Sequence, residues 1–204
     1  RPYNTDGRRG AVAAIWRSSY VDGANKWEPP KMIWQKLTTD EMAFAYETGK
    51  DVIQAKMKNN HTGNNELSKY AGYVGQVAAM KYLKAVNIDD YEYDLKLNGK
   101  RIEVKTKVRN RLPDPNFAAC VYASNANQLC DVYLFMQVMK RADNPKKLMH
   151  GAYLLGWIDR DLYNERFYQV RKGDKDGKYY TEPADAFKVE LRDLRPIEEL
   201  KWSV

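Results

Sequence analysis

The chain has 204 residues, 44% hydrophobic and 12% aromatic, which is enough to bury one sizeable core and argues against a disordered or fibrous protein. Its 34 basic and 27 acidic residues give a formal charge of +7, a mildly basic surface that favours a polyanionic partner without resembling a histone-like tail. Cys120 and Cys130 are too few for a disulfide scaffold, and no cysteine and histidine stand at zinc-ligand spacing.

Residues 1 to about 37 mix Trp16, Trp27 and Trp34 with Arg17, Lys26 and Lys31 around "EPPK", and read as an irregular or partly stranded arm. The first residues, "RPYNTDGRRG", hold no apolar signal region, and no later run approaches the roughly 18 apolar residues of a membrane span. A soluble, cytoplasmic protein is expected, in the host cytoplasm if phage-encoded, with no membrane partner. Thr38 and Thr39 followed by Asp40 and Glu41 predict a helix N-terminus, and Met42, Ala45, Tyr46 and Ile53 keep helical spacing toward Met57. "NNHTGNN" should end it. A second helix is predicted through "ELSKYAGYVGQVAAMKYLKAV", with Gly72 and Gly75 allowing close packing against a sheet. After the stretch from Tyr93 to Lys107 come a Pro- and Asn-rich connection, "RNRLPDPNFAACVYASN", and two buried strands, "CDVYLFMQVM" and "HGAYLLGWID". From "YNERF" onward, polar and aromatic residues alternate around "GDKDG", which predicts short strands or a peripheral ribbon. That turn lacks the remaining ligand positions of a calcium loop. The expected organisation is an N-terminal arm and helix over 1–60 and a core over 61–204.

The stretch "YDLKLNGKRIEVKTK" carries the chemistry. Asn98-Gly99 between alternating runs predicts a two-residue type I′ hairpin, because both central residues need positive φ. The register then places Leu97 opposite Lys100, Leu95 opposite Ile102 and Tyr93 opposite Val104 on one apolar face, which Thr106 and Val108 extend. The other face sets Lys96 against Arg101 and Asp94 against Glu103, with Lys105 two residues further along. A solvated amphipathic ribbon is the plain reading of such a face, yet opposed like charges destabilise a ribbon by up to roughly 1 kcal/mol. A divalent metal between Asp94 and Glu103 removes the repulsion, and Lys105 then stands beside any anion the metal recruits. Carboxylate oxygens without cysteine or histidine favour magnesium, with manganese as a substitute. A metal that lowers the pKa of water, next to an ammonium that neutralises phosphoryl charge, is a constellation for phosphodiester hydrolysis.

Asp94, then "EVK" as Glu103, Val104 and Lys105, preceded by the helix "GYVGQVAAMKYL" and followed by the strand "CDVYLFMQV", resembles the PD-(D/E)XK nuclease superfamily over roughly residues 64 to 160. The resemblance implies an α/β restriction-endonuclease-like core, with a mixed central sheet flanked by helices and an N-terminal extension, and magnesium-dependent cleavage of DNA. Asp94 and Glu103 become metal ligands, the Val104 carbonyl an additional one, and Lys105 the group that assists water activation. Members often carry a Glu in the preceding helix in a Gly-x-x-Gly-Glu setting. Here "GYVGQ" puts Gln76 at that position, with Glu66 as an alternative acid earlier on the same helix. Tyr93 replaces the family's Pro.

Lys107, Arg109 and Arg111 extend the basic line and are expected to track a phosphate backbone, or else to form a solvated strand end. His61 and His150 join no constellation, and neither a phosphate-binding glycine loop nor a Gly-x-Ser-x-Gly elbow is present, so ATP-driven and serine-hydrolase functions have no support. Two alternatives stay open beside the nuclease. One is a junction- or flap-cutting resolvase acting as a homodimer, and the other a catalytically silent nucleic-acid-binding module of the same fold.

Overall fold

The computed structural model describes residues 31–57, 66–89, 92–176 and 180–202; most of the expected arm and the "NNHTGNN" turn lie outside them. Strand β1 (Ile33–Lys36) is followed by helix α1 (Thr39–Met57). A capping box starts α1: the Glu41 N–H donates to Thr38 Oγ1 at 3.2 Å, and the Thr38 N–H donates to Glu41 Oε2 at 2.7 Å. Helix α2 (Glu66–Leu83) stops three residues earlier than the sequence suggests. Lys84 takes a left-handed φ of 56°, the Ala85 N–H returns to the Met80 carbonyl, and Val86–Asn87 leave as strand β2.

The hairpin strands β3 (Leu95–Leu97) and β4 (Lys100–Arg109) follow, then β5 (Ala118–Tyr122), β6 (Val132–Met139) and β7 (Gly151–Asp159). Helix α3 (Arg160–Arg166), strands β8 (Tyr168–Val170), β9 (Lys175–Asp176), β10 (Tyr180–Thr181) and β11 (Ala186–Glu190), and helix α4 (Ile197–Trp202) complete the described chain. The short strands of the last third match the sequence expectation; α3 and α4 do not.

Six strands form a mixed sheet in the order β1-β7-β6-β4-β3-β2, in which only β4 and β6 run parallel. Strand β6 is buried on both faces, which is why its sequence is apolar throughout except at the buried Gln137, rather than alternating. Val132, Leu134, Met136 and Val138 face one core with Ala71, Val74 and Ala78 of α2. Tyr133 and Phe135 face a second core with Tyr163 of α3 and Val121 and Val189 from a separate three-stranded sheet, β5-β11-β8. The molecule is thus a mixed α/β fold, its central sheet flanked by helices and, on one face, by a smaller sheet. Helix α2 approaches the main sheet closely at Gly75, where a Cβ would lie 2.1 Å from Thr106 Oγ1. No helix among the described residues is long and apolar enough to cross a membrane.

Candidate active site

The turn forms as its chemistry requires, with φ of 49° at Asn98 and 83° at Gly99. Leu97 pairs with Lys100, Lys96 with Arg101 and Leu95 with Ile102, in the register expected. Beyond Leu95 the ladder changes. Where it would continue to Tyr93, the Val104 N–H donates to Asp94 Oδ2 at 2.7 Å, while the Asp94 N–H donates to the Ile102 carbonyl at 3.0 Å. The N–H groups of Ile88 and Asp89 both donate to the Asp94 carbonyl. A carboxylate accepts as well as a strand carbonyl does, so Asp94 stands in for the missing partner and is fixed by four hydrogen bonds. The expected Tyr93–Val104 pair is not made. Val104 stays with the helix-side core, whereas Tyr93 packs against the opposite one.

The two like-charged pairs have different solutions. Arg101 is drawn toward the neighbouring strand, where Asp131 accepts from its guanidinium at 2.6 and 3.1 Å and from its backbone N–H at 2.8 Å. Sequence reasoning missed Asp131 because it is adjacent only across the β4–β6 pair.

The acidic pair keeps its tension. Glu103 is only 5% exposed; its Oε1 accepts from Lys105 Nζ at 2.6 Å, and its buried Oε2 has no hydrogen-bond partner. Lys105 Nζ also donates to the side chain of Gln128, at 2.7 Å. Burial, and after it the charge of Glu103, pushes the Asp94 carboxyl up to about 8, against the pull of the Val104 N–H and Lys105. Burial also raises Glu103, with Lys105 and Gln128 offsetting it. Nearby groups feel this negative charge. The Cys130 thiol is pushed up to about 11 by burial and then by Glu103, and the Tyr73 phenol to about 12 by burial and then by Asp89 and Asp94.

These residues fit a hard divalent cation. The buried Glu103 Oε2 makes no hydrogen bond, and Asp94 is buried beside it. A residue's N–H and C=O leave an extended strand on the same side, so the Val104 carbonyl points to the edge where its N–H meets Asp94. Among the described residues no group of three or more His, Cys, Asp or Glu side chains is gathered. A magnesium shell here needs water and substrate oxygens to be complete, which is its ordinary habit.

The remaining sequence candidates lie at varying distances from this centre. Gln76 is buried on α2, but its amide donates to Asn87 Oδ1 at 2.9 Å, so that donor is tied to β2. Glu66 begins α2, ten residues or about 15 Å of helix rise before Gln76. The next residues, Leu67 and Tyr70, line a groove at the opposite end of the sheet, so the structure does not bring position 66 to the carboxylates. Lys107 shares the face of Lys105, yet is covered by the smaller sheet; burial lowers its pKa, and Cys120 and Lys188 stand nearby. It is not part of a solvated strand end. Arg109 and Arg111 converge on the ring of Phe117, at 4.2 and 5.0 Å from its centroid. Gln128, which no sequence motif singles out, belongs to the site, because an isolated amide in a polar loop gives no signal until the fold places it.

No protein-family model matches the chain, and no curated protein matches it.

Proposed function

We propose that the protein is a magnesium-dependent nuclease that hydrolyses DNA phosphodiester bonds, with manganese able to replace magnesium, on a restriction-endonuclease-like version of this mixed α/β fold. The observation that carries the reading is the buried Asp94–Glu103 pair, with one orphaned carboxylate oxygen and a lysine ammonium 2.6 Å from the other. Asp94, Glu103 and the Val104 carbonyl would hold the cation. When bound, magnesium supplies Lewis acidity and an anchor for a phosphoryl oxygen.

The protein's own groups do the rest. The Val104 N–H orients the Asp94 carboxylate, and burial keeps bulk water from Glu103. Lys105 offers three N–H donors; Glu103 and Gln128 take two and fix the direction of the third, which serves the attacking water or the phosphoryl oxygen. An ammonium held in this way is preorganised, so its charge acts without first reorganising solvent. Burial and the charge of Glu103 hold the Asp94 carboxyl well above its ordinary value, and a cation held by the pair would favour its ionised form. The charge of +7 and the paired Arg109 and Arg111 favour a polyanion as the partner.

A second reading, a silent nucleic-acid-binding module, is favoured by the gathering of only two carboxylates among the described residues and by the engagement of Gln76 with Asn87. One experiment separates the two. The protein is incubated with supercoiled plasmid, labelled linear single- and double-stranded DNA and a branched junction, in magnesium, manganese or EDTA, beside Lys105→Ala. The nuclease gives metal-dependent products that EDTA and Lys105→Ala abolish. Salt-dependent binding without cleavage of any substrate establishes the silent module instead. Cleavage of the junction alone, by a dimer, identifies a resolvase.

A further inference from the structure

At the end of the sheet away from Glu103, about 20 Å along β4 at Arg109, the β6–β7 turn faces the two long helices. Between them lies an open groove of about 760 Å³. Its walls combine two features that a simple solvated loop does not need. The first is aromatic: Tyr46 of α1 and Tyr70 of α2 both line it, their ring centroids 4.9 Å apart and tilted by 54°. The second is basic: Lys140, Lys146, Lys147 and His150 line the opposite side.

The turn holds its lysines in place. Lys140 bridges to Leu148, the Arg141 N–H donates to the Lys147 carbonyl at 2.9 Å, and Asn144 accepts from the backbone of both Lys146 and Lys147. The one acid in the turn, Asp143, is taken by the Arg141 guanidinium at 2.5 and 2.9 Å. Among the described residues no acidic side chain pairs with Lys140, Lys146 or Lys147. Tyr46 of the helix wall and Leu148 of the turn wall both line the groove.

Unpaired ammonium groups opposite half-buried aromatic faces suit an anion that carries flat apolar rings. A single-stranded nucleic acid has both: its phosphates meet the lysines and its unstacked bases meet the tyrosines. Duplex bases are occupied with one another, and an acidic peptide brings charge without planar rings. The geometry points to this groove as a second nucleic-acid site that takes a single-stranded segment away from the carboxylates. The inference deepens the nuclease reading, in which one strand occupies both places, while its binding chemistry stands without catalysis.

The test is fluorescence anisotropy of a labelled oligothymidylate in EDTA, with the full chain and its Lys146→Glu/Lys147→Glu variant; both changes fall on exposed turn positions. The variant is expected to bind about tenfold or more weakly. Its slope of log affinity against log salt should be shallower by about 1.4, at roughly 0.7 for each single-strand phosphate that a lysine no longer neutralises. Cleavage of a short substrate in magnesium should be retained. An unchanged affinity and slope would overturn the site. So would an abasic phosphate oligomer that binds as tightly as oligothymidylate, or polyglutamate that competes equally. If wild-type protein cuts nothing while the groove variant still loses oligothymidylate, the nuclease reading fails and the groove stands.

Discussion

Without metal, the protein should lose stability as pH rises from about 5 to about 8. The cause is Asp94, whose carboxyl is pushed up from 3.8 to about 8 by burial and by Glu103. In the unfolded chain it ionises near its ordinary value. Between those two values the folded state binds more protons than the unfolded state, so raising the pH favours unfolding. At about 1.4 kcal/mol per pH unit the ceiling is about 6 kcal/mol. The carboxyl keeps some solvent contact, which lowers the expected loss to about 2–4 kcal/mol; the raised Glu103 acts in the same direction. Urea unfolding in EDTA, followed by tryptophan fluorescence across this range, reads the slope directly. Asp94→Asn should flatten it, because an amide pays no ionisation cost. Magnesium should raise the unfolding midpoint more near pH 8 than near pH 5, since the cation binds the deprotonated pair. A flat or rising profile in EDTA, or an Asp94→Asn variant with the wild-type slope, would refute the coupling between burial and the acidic pair.

Two further outcomes follow from packing and charge. Gly75→Ala places a Cβ 2.1 Å from Thr106 Oγ1 and 2.9 Å from its Cγ2, forcing α2 away from the sheet; a loss of about 2–3 kcal/mol is expected by chemical denaturation, and Thr106→Ala in the same chain should recover most of it. Asp131→Ala leaves Arg101 facing Lys96 without its partner; because the Arg101–Asp131 pair is about 40% exposed, the cost should be only about 0.5–1 kcal/mol and should shrink in high salt.

Local chemistry in this chain is readable from sequence, and contacts across the fold are less so. Asn98-Gly99 specifies its turn because few residues accept positive φ, and period-two alternation then sets the register as far as Leu95. Thr38 and Glu41 announce α1 because a capping box is complete within four residues. Strand β6 is legible as buried because both of its faces are apolar but for Gln137. The same reasoning fails at Tyr93, since alternation cannot show that a side-chain carboxylate will replace a backbone acceptor and turn the strand over. It fails at Lys107 because the sheet that covers it is built partly from β11, some eighty residues later. Asp131 and Gln128 are ordinary loop residues until the β4–β6 pairing sets them beside Arg101 and Lys105. Helix α3 is too short, at Arg160–Arg166, to show a helical period against its aromatic surroundings.

The parallel pairing of β4 with β6 also dictates when the site can exist during folding. The hairpin closes over two residues and costs little chain entropy, whereas setting Glu103 beside Tyr133 closes a loop of about thirty. A chain that has made only the first of these contacts holds its acids and its lysine in water, like those of any surface ribbon. Gln128 and the walls that exclude water arrive with β6. The chemistry of Asp94, Glu103 and Lys105 is therefore withheld from the nascent chain, and the unusual ionisation of the two acids marks completion of the fold.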